Sequence, residues 1–190
     1  MATSTSTPLQ EMTVDVAVIG AGTAGLAAYR AVRNAGKRVV VIEGGPYGTT
    51  CARVGCMPSK LLIAAAEAAH TITHSALFGV HGGALRVDGR AVMQRVRDER
   101  DRFVGFVVEA ALRWPEEHRL RGRARFIDEH MLDVGGHTQV NAARIVIATG
   151  SRPAVPPAWR QALGDRLIVN DDVFAWQDLP ASVAVVGAGV

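Results

Sequence analysis

The stretch VDVAVIGAGTAGLAAYRAVRNAGKRVVVIE, residues 14–43, decides how this 190-residue chain folds. It opens on VDVAVIG, a short and nearly continuous apolar run of the kind that forms a strand buried on both faces of a parallel sheet. AGLAAYRAVRNAG follows as a helix closed by Gly36, and KRVVVIE, residues 37–43, reads as a second buried strand. Strand, helix and strand in this order make a βαβ unit, whose crossover is expected to be right-handed.

The turn between the first strand and the helix is Gly20-Ala21-Gly22-Thr23-Ala24-Gly25. Gly20 permits a tight turn, Gly22 lets a pyrophosphate approach the backbone, and Gly25 lets helix and strand pack closely. The pyrophosphate would lie in a cradle of residues 20–25, Thr23 and Ala24 included, over a helix N-terminus whose N–H groups and dipole favour an anion. Glu43 ends the second strand, where a carboxylate can bind a ribose hydroxyl pair. The plainer alternative is a tight βα turn with a surface glutamate. The fingerprint by itself does not separate FAD from NAD.

Working outward, residues 1–12 read as a disordered tail, and residues 57–75, rich in Ala and Leu, as a helix. Residues 79–90 are glycine-rich and expected to form a loop. A long amphipathic helix is predicted from Ala91 to Trp114, with Val92, Val96, Phe103, Val107 and Ala111 on one stripe and Pro115 as its stop. Residues 120–141 predict a small antiparallel meander with a turn at Gly135-Gly136. RIVIATG, residues 144–150, returns to a buried apolar strand. Residues 151–181, with prolines at 153, 156, 157 and 180, read as a connector. VAVVGAGV, residues 183–190, repeats the logic of VAVIGAG, residues 16–22, and predicts the first strand of a second dinucleotide unit, cut before a third glycine. Two such starts suggest electrons relayed between two dinucleotides, and a chain that is part of something larger. The expected class is therefore α/β: a parallel sheet with a small antiparallel meander over residues 13–150, the connector 151–181, and a truncated second unit at 182–190.

Composition narrows the function. The chain is 48% hydrophobic and 21% charged, enough for one well-buried core. A net charge of +3 with 5% aromatic residues leaves a nucleic-acid partner unsupported. The amino terminus lacks the basic start and apolar stretch of a secretory signal, and no uninterrupted apolar run is of membrane-spanning length. A cytoplasmic location is expected, where a disulfide is more often catalytic than structural.

The chain has two cysteines, Cys51 and Cys56, in TTCARVGCMPSK, residues 49–60. A zinc site needs more ligands, and although His70 or His74 could be recruited, no second close-spaced pair is present. Plant-type iron–sulfur proteins share the C-x4-C spacing but need two further cysteines. Two inert core thiols remain possible. A redox pair accounts for more residues: Cys56 stands at a helix start, with Pro58 tolerated in the first turn, and a thiolate there is stabilised by the helix dipole and made reactive. Lys60 adds a positive charge one turn later.

At this point a resemblance becomes specific. GTTCARVGCMPSKLL, the glycine fingerprint, Glu43, RIVIATGSRP and LPASVAVVGAGV together resemble the flavoprotein disulfide reductases, in the family's order and across nearly all of residues 13–190. Within that family the chain is most similar to the dihydrolipoamide dehydrogenases. Pro-Ser-Lys after the second cysteine is their usual form and that of mercuric reductases, whereas glutathione reductases usually carry Pro-Lys-Lys. Two departures bear on the substrate: Arg53 stands where Asn is usual, and Gly48-Thr49-Thr50 where Gly-Gly-Thr is usual.

The resemblance implies a Rossmann-like FAD-binding domain and an FAD-dependent oxidoreductase with NAD or NADP as co-substrate. Cys56 would be the charge-transfer thiol beside the flavin and Cys51 the interchange thiol of a Cys51–Cys56 disulfide. Lys60 would lie near the flavin, and Thr50, Thr149 and Gly150 would join Gly20, Gly22, Thr23, Ala24, Gly25 and Glu43 in holding the cofactor. The implied substrate is a small dithiol or disulfide, or a lipoyl group, and the implied assembly a homodimer. A mercuric reductase and a non-catalytic flavin-binding redox switch are the competing expectations. None of the six histidines matches the family's catalytic base, so the chain alone is not expected to be a competent enzyme.

Overall fold

Backbone hydrogen bonds gather the described strands into one sheet in the computed structural model, which describes residues 9–187. The strands are β1 (Gln10–Ile19), β2 (Val39–Glu43), β3 (Arg119–Arg121), β4 (Ala124–Asp128), β5 (Met131–Val134) and β6 (Thr138–Ile147), in the spatial order β3-β2-β1-β6-β5-β4. β3, β2, β1 and β6 run parallel to their neighbours, and β5 and β4 continue the sheet antiparallel. The chain divides into two compact units, one running up to Thr50 and resuming over Val104–Arg152, the other formed by Cys51–Phe103 and the stretch from Pro153.

The first unit holds the sheet and the helix α1 (Thr23–Asn34). Alternation along the strands sorts side chains to two faces. Val39, Val41 and Val18 join Tyr29 and Ala21 in one buried cluster, with Ala28 and Val32 of α1 against it. Val40, Ile42, Ala17 and Val14 face the other way with Leu132, Val134, Val140 and Ala142. Because β2 is covered on both faces it reads as an unbroken apolar run, as a central parallel strand should. α1 ends as predicted: Gly36 takes φ 68°, its N–H bonds to Arg33 O at 3.0 Å, and Lys37 N–H bonds back to Val32 O at 3.2 Å. Against the same helix, Tyr29 stacks on Trp114 with ring centroids 4.0 Å apart, and its hydroxyl lies 2.9 Å from His118 Nδ1.

The second unit contains most of α2 (Thr50–Val54), then α3 (Cys56–His74), the first part of α4 (Gly89–Leu112) and α5 (Pro157–Leu163). Residues 80–88 are irregular, as expected. The stripe on α4 is largely as predicted, with Val96 and Ala111 buried; Met93, next to the predicted Val92, is fully buried as well. The segment after Pro153 is more than a connector. Arg100 Nη1 donates to Phe174 O at 2.7 Å, Arg97 Nη1 donates to Trp176 O, and the Phe174 side chain is buried.

Several expectations need correction. The supposed tail reaches into the sheet, since Gln10, Glu11 and Met12 pair with Thr138, Gln139 and Val140. β6 is ten residues long and offers backbone partners to residues whose side chains gave no strand signal; residues 1–8 lie outside the described residues. The segment 119–121 is a parallel edge strand on β2, and only β4, β5 and β6 form the antiparallel part. Ile147, expected to be buried, is exposed at the end of β6. Residues 182–187 form no strand, and Val185 and Val186 are exposed. A parallel strand exists only beside a hydrogen-bonded neighbour, and the described sheet does not include this segment; residues 188–190 lie outside the described ones. By length and composition alone, the helical stretch Thr50–Phe78 is long and apolar enough to cross a membrane. Its alanines raise the average although polar residues interrupt every apolar run.

The first unit can be tested at two residues. Burial, with Arg33 nearby, holds His118 below the usual histidine value of 6.5, and Glu117 opposes this. As pH falls through that value the unfolded chain binds the proton before the folded one, so stability present at neutral pH is lost in acid. The thermal midpoint should fall from pH 7 to pH 5 by less in His118→Gln than in the parent. Thr49 has φ 53°, the one positive φ at a non-glycine among the described residues. A β-branched residue is strained there, so Thr49→Gly should stabilise the fold by about 1 kcal/mol in denaturant titration.

Candidate functional site

At the carboxyl end of β1 the chain leaves for β2 on one side, while β6 arrives on the other. This is a topological switch point, where open parallel sheets bind ligands. Gly20 N–H bonds to Ile42 O and Ala148 N–H to Ile19 O, both at 2.8 Å, so the three strand ends are drawn together. The crowding dictates the glycines. Gly20 has φ 105°, and a Cβ there would lie 2.4 Å from Ala148 O; a Cβ on Gly25 would lie 1.9 Å from Gly20 O. Gly22 is different, because a Cβ there would meet no atom within 4 Å. Its side faces open space at the start of α1, which has no side-chain cap and no acidic residue in its first turn. First-turn N–H groups and the positive end of the dipole at Thr23 and Ala24 are suited to an anion there. Thr149 and Gly150 stand just beyond β6; the Thr149 nitrogen is 3.3 Å from the Cβ position of Gly20, and Gly150 has φ 70°.

Glu43 meets the fingerprint. Its carboxylate accepts the Ala21 N–H at 2.7 Å through Oε2 and the Gly45 N–H at 2.6 Å through Oε1. The Gly44-Gly45 corner is wrapped closely around it: a Cβ on Gly44 would lie 2.8 Å from Arg123 Cγ, and one on Gly45 would lie 3.2 Å from Glu43 Oε1. Arg121 Nη1 donates to Gly45 O at 2.6 Å, and its guanidinium lies 5.0 Å from the Tyr47 ring centre. Sequence reasoning found Glu43 but missed Gly45 and Arg121. Gly45 lies between the second strand and the cysteine stretch, outside both motifs, and Arg121 is 76 residues away in the chain, with only its place on β3 to bring it near.

In the second unit Cys51 lies in α2, after Thr50 at that helix's exposed start, and Cys56 is the first residue of α3. Both are thiols in this structure, Cys51 half-buried and Cys56 exposed. The Cys56 side chain, within hydrogen-bonding reach, and then burial push the Cys51 thiol pKa above its ordinary value. α3 opens on Gly55 without a side-chain cap or an acidic residue in the first turn. Pro58 sits fully buried in the first turn, and Ser59 Oγ donates to Cys56 O at 3.0 Å. Lys60 is exposed one turn after Cys56. The structure thus gathers Gly20, Gly22, Thr23, Ala24, Gly25, Glu43, Thr149 and Gly150 around one strand end, and sets Cys51, Cys56 and Lys60 across the junction of α2 and α3. His70 and His74 stack on the exposed end of α3 with ring centroids 3.8 Å apart, and no cluster of three or more metal-ligating side chains occurs among the described residues.

Comparison with known proteins shows the family. Residues 14–190 match the family described as pyridine nucleotide-disulphide oxidoreductase. A mercuric reductase of Streptomyces lividans is 36% identical over 187 residues, covering 92% of this chain and 38% of that protein. A dihydrolipoyl dehydrogenase of Chlamydia muridarum is 33% identical, covering 93% of this chain and 38% of the relative. A glutathione reductase of Burkholderia cepacia is 32% identical, covering 95% and 39%. A solved structure, the copper(II) complex of a cysteine-to-serine mutant of the HOCl-induced flavoprotein disulfide reductase RclA from Escherichia coli, shares the fold with a TM-score of 0.70 at 23% identity, covering 89% of this chain and 36% of that one. The chain spans less than two-fifths of the length of these relatives. It belongs to the pyridine nucleotide-disulphide oxidoreductases, a family of FAD-dependent enzymes that use NAD(P)H, and matches their N-terminal portion.

Proposed function

We propose that this chain is the FAD-binding, cysteine-bearing part of a dithiol/disulfide oxidoreductase that converts dihydrolipoamide and NAD+ to lipoamide and NADH. The observation that carries the reading is the thiol pair: Cys56 opens an uncapped helix and stands within hydrogen-bonding reach of Cys51, whose proton is held more tightly than an ordinary thiol's.

The residues of the first unit fit an FAD pyrophosphate and ribose. The open side of Gly22 leaves room for a phosphate at the α1 N-terminus, and Glu43 keeps lone pairs on both oxygens for hydroxyl donors. Thr50, Thr149, Gly150 and Lys60 are assigned to the same cofactor. When bound, FAD supplies the two-electron chemistry that links a nicotinamide to a disulfide. The chain's own part is thiol–disulfide exchange. In the oxidised pair, a substrate thiolate attacks Cys51 Sγ, the Cys51–Cys56 bond breaks, and Cys56 leaves as thiolate. The second substrate thiol then attacks the substrate sulfur of the mixed disulfide. Cys51 leaves and takes up a proton, consistent with its raised pKa, and the substrate departs as a disulfide with two electrons left on the cysteine pair. A homodimer, with partner residues completing the site, and a cytoplasmic setting belong to this reading.

A second reading, a mercuric reductase, is favoured by the 36% identity to the Streptomyces lividans protein. The two separate on full-length substrate assays, with lipoamide or mercuric ion as the electron acceptor for reduced nicotinamide.

The reading is tested first by the absorption spectrum of the purified chain before and after one equivalent of dithiol. A flavin spectrum that gains a long-wavelength band on reduction is expected, and Cys56→Ser should abolish the band while keeping the flavin. A colourless protein that takes up no added FAD would overturn the cofactor assignment. Gly22→Val should leave the thermal midpoint within a few degrees, because its side chain enters open space, yet weaken FAD binding at least tenfold in a fluorescence titration.

A further inference from the structure

Arg121 has no part in the glycine fingerprint or the cysteine motif, yet it closes a chain of contacts that ends on the fingerprint. β3 pairs with β2 so that Arg121 stands opposite Glu43, and Gly122 N–H bonds to Glu43 O at 3.1 Å. From there the guanidinium donates to Gly45 O at 2.6 Å and lies 5.0 Å from the centre of the Tyr47 ring. The Gly45 N–H in turn bonds to Glu43 Oε1, and Glu43 Oε2 accepts from Ala21 inside the fingerprint. A corner built on two adjacent glycines has little stiffness of its own. Two side chains reach it from a distant part of the sequence: Arg123, whose Cγ would lie 2.8 Å from a Cβ on Gly44, and Arg121, which donates to Gly45 O as a charge-assisted donor with a planar head that also suits an aromatic face.

We propose that Arg121 is a positioning residue for the cofactor site: by holding Gly45 and Tyr47 it keeps the corner folded around the Glu43 carboxylate, and so fixes that carboxylate for the ribose of a bound dinucleotide. The dinucleotide step rests on the function proposed above. The arrangement of Glu43 does not, and can be measured separately.

The experiment uses the whole chain and two variants at Arg121. Arg121→Gln loses the charge and the planar cation. Arg121→Lys keeps the charge and can donate to Gly45 O, but lacks the flat face. FAD affinity, by fluorescence titration, should fall about tenfold in Arg121→Gln, in line with the loss of one charge-assisted hydrogen bond, and recover in part in Arg121→Lys. In a Glu43→Gln background the same Arg121→Gln change should cost less than about twofold, because a residue that acts through Glu43 has nothing left to position. A general loss of folding would instead add equally in both backgrounds. Amide hydrogen exchange provides the independent readout: the Ala21 and Gly45 N–H groups should exchange faster in Arg121→Gln, while Val40 and Val41 in the strand keep their protection. Equal FAD losses in the two backgrounds, or unchanged Ala21 and Gly45 exchange, would overturn the assignment. If the parent chain binds no FAD, the function proposed above fails, and the exchange of those two amides alone decides whether Arg121 positions Glu43.

Discussion

Everything at the nucleotide end of this protein depends on how closely three strand ends approach one another. Ile19, Ile42 and Ala148 meet through two 2.8 Å backbone hydrogen bonds at Gly20 and Ala148. That convergence leaves no room for a Cβ on Gly20, and the helix that leaves the turn leaves none on Gly25. The two glycines are therefore answers to a packing constraint, whereas Gly22 faces open space and is under no such constraint. A single tripartite motif contains both kinds of position, and the structure separates them. A side chain at Gly20 or Gly25 would collide with the backbone, while one at Gly22 would meet no atom within 4 Å.

The acidic end of the cradle is fixed by equally close contacts. Glu43 accepts a backbone amide on each oxygen, one from the fingerprint and one from its own corner. A carboxylate held this way has lost most of its rotamer freedom before any ligand arrives, so less entropy is lost on binding. The edge strand β3 has only three residues, but its pairing with β2 is what brings a distant arginine to that corner.

The second unit works by other means. Its cysteine-bearing helix α3 buries only Pro58 fully, and apolar side chains such as Ile63, Ile72, Leu77 and Phe78 are exposed along and after it. What organises the pair is local: a short helix and a long one meet at Gly55, which puts Cys51 within reach of Cys56 at an uncapped helix start. The placement of the pair thus follows from a few consecutive residues. Hydrogen bonds from Arg97 and Arg100 of α4 to backbone carbonyls of the segment 174–176 show that the rest of this unit is held by polar contacts distant in the chain.

Local chemistry made the βαβ unit, the glycine turn, the terminal acid, the cysteine pair and the long helix legible in the sequence. Each is set by residues a few positions apart, through helical or strand periodicity and turn geometry. Pairing between distant segments was not legible. Residues 10–12 enter the sheet because β6 lies beside them, residues 119–121 run parallel to β2 rather than joining a hairpin, and residues 182–187 form no strand although their sequence repeats that of β1. Strand formation is completed by a partner's backbone, and the sequence of one strand does not name its partner. The sequence by itself thus determined the βαβ unit, its glycine turn and the places of the candidate residues along the chain. Only the tertiary structure decided which glycine faces open space, how Glu43 is held, and that Arg121 reaches the corner beside it, because those facts are set by contacts across the sheet that no local pattern records.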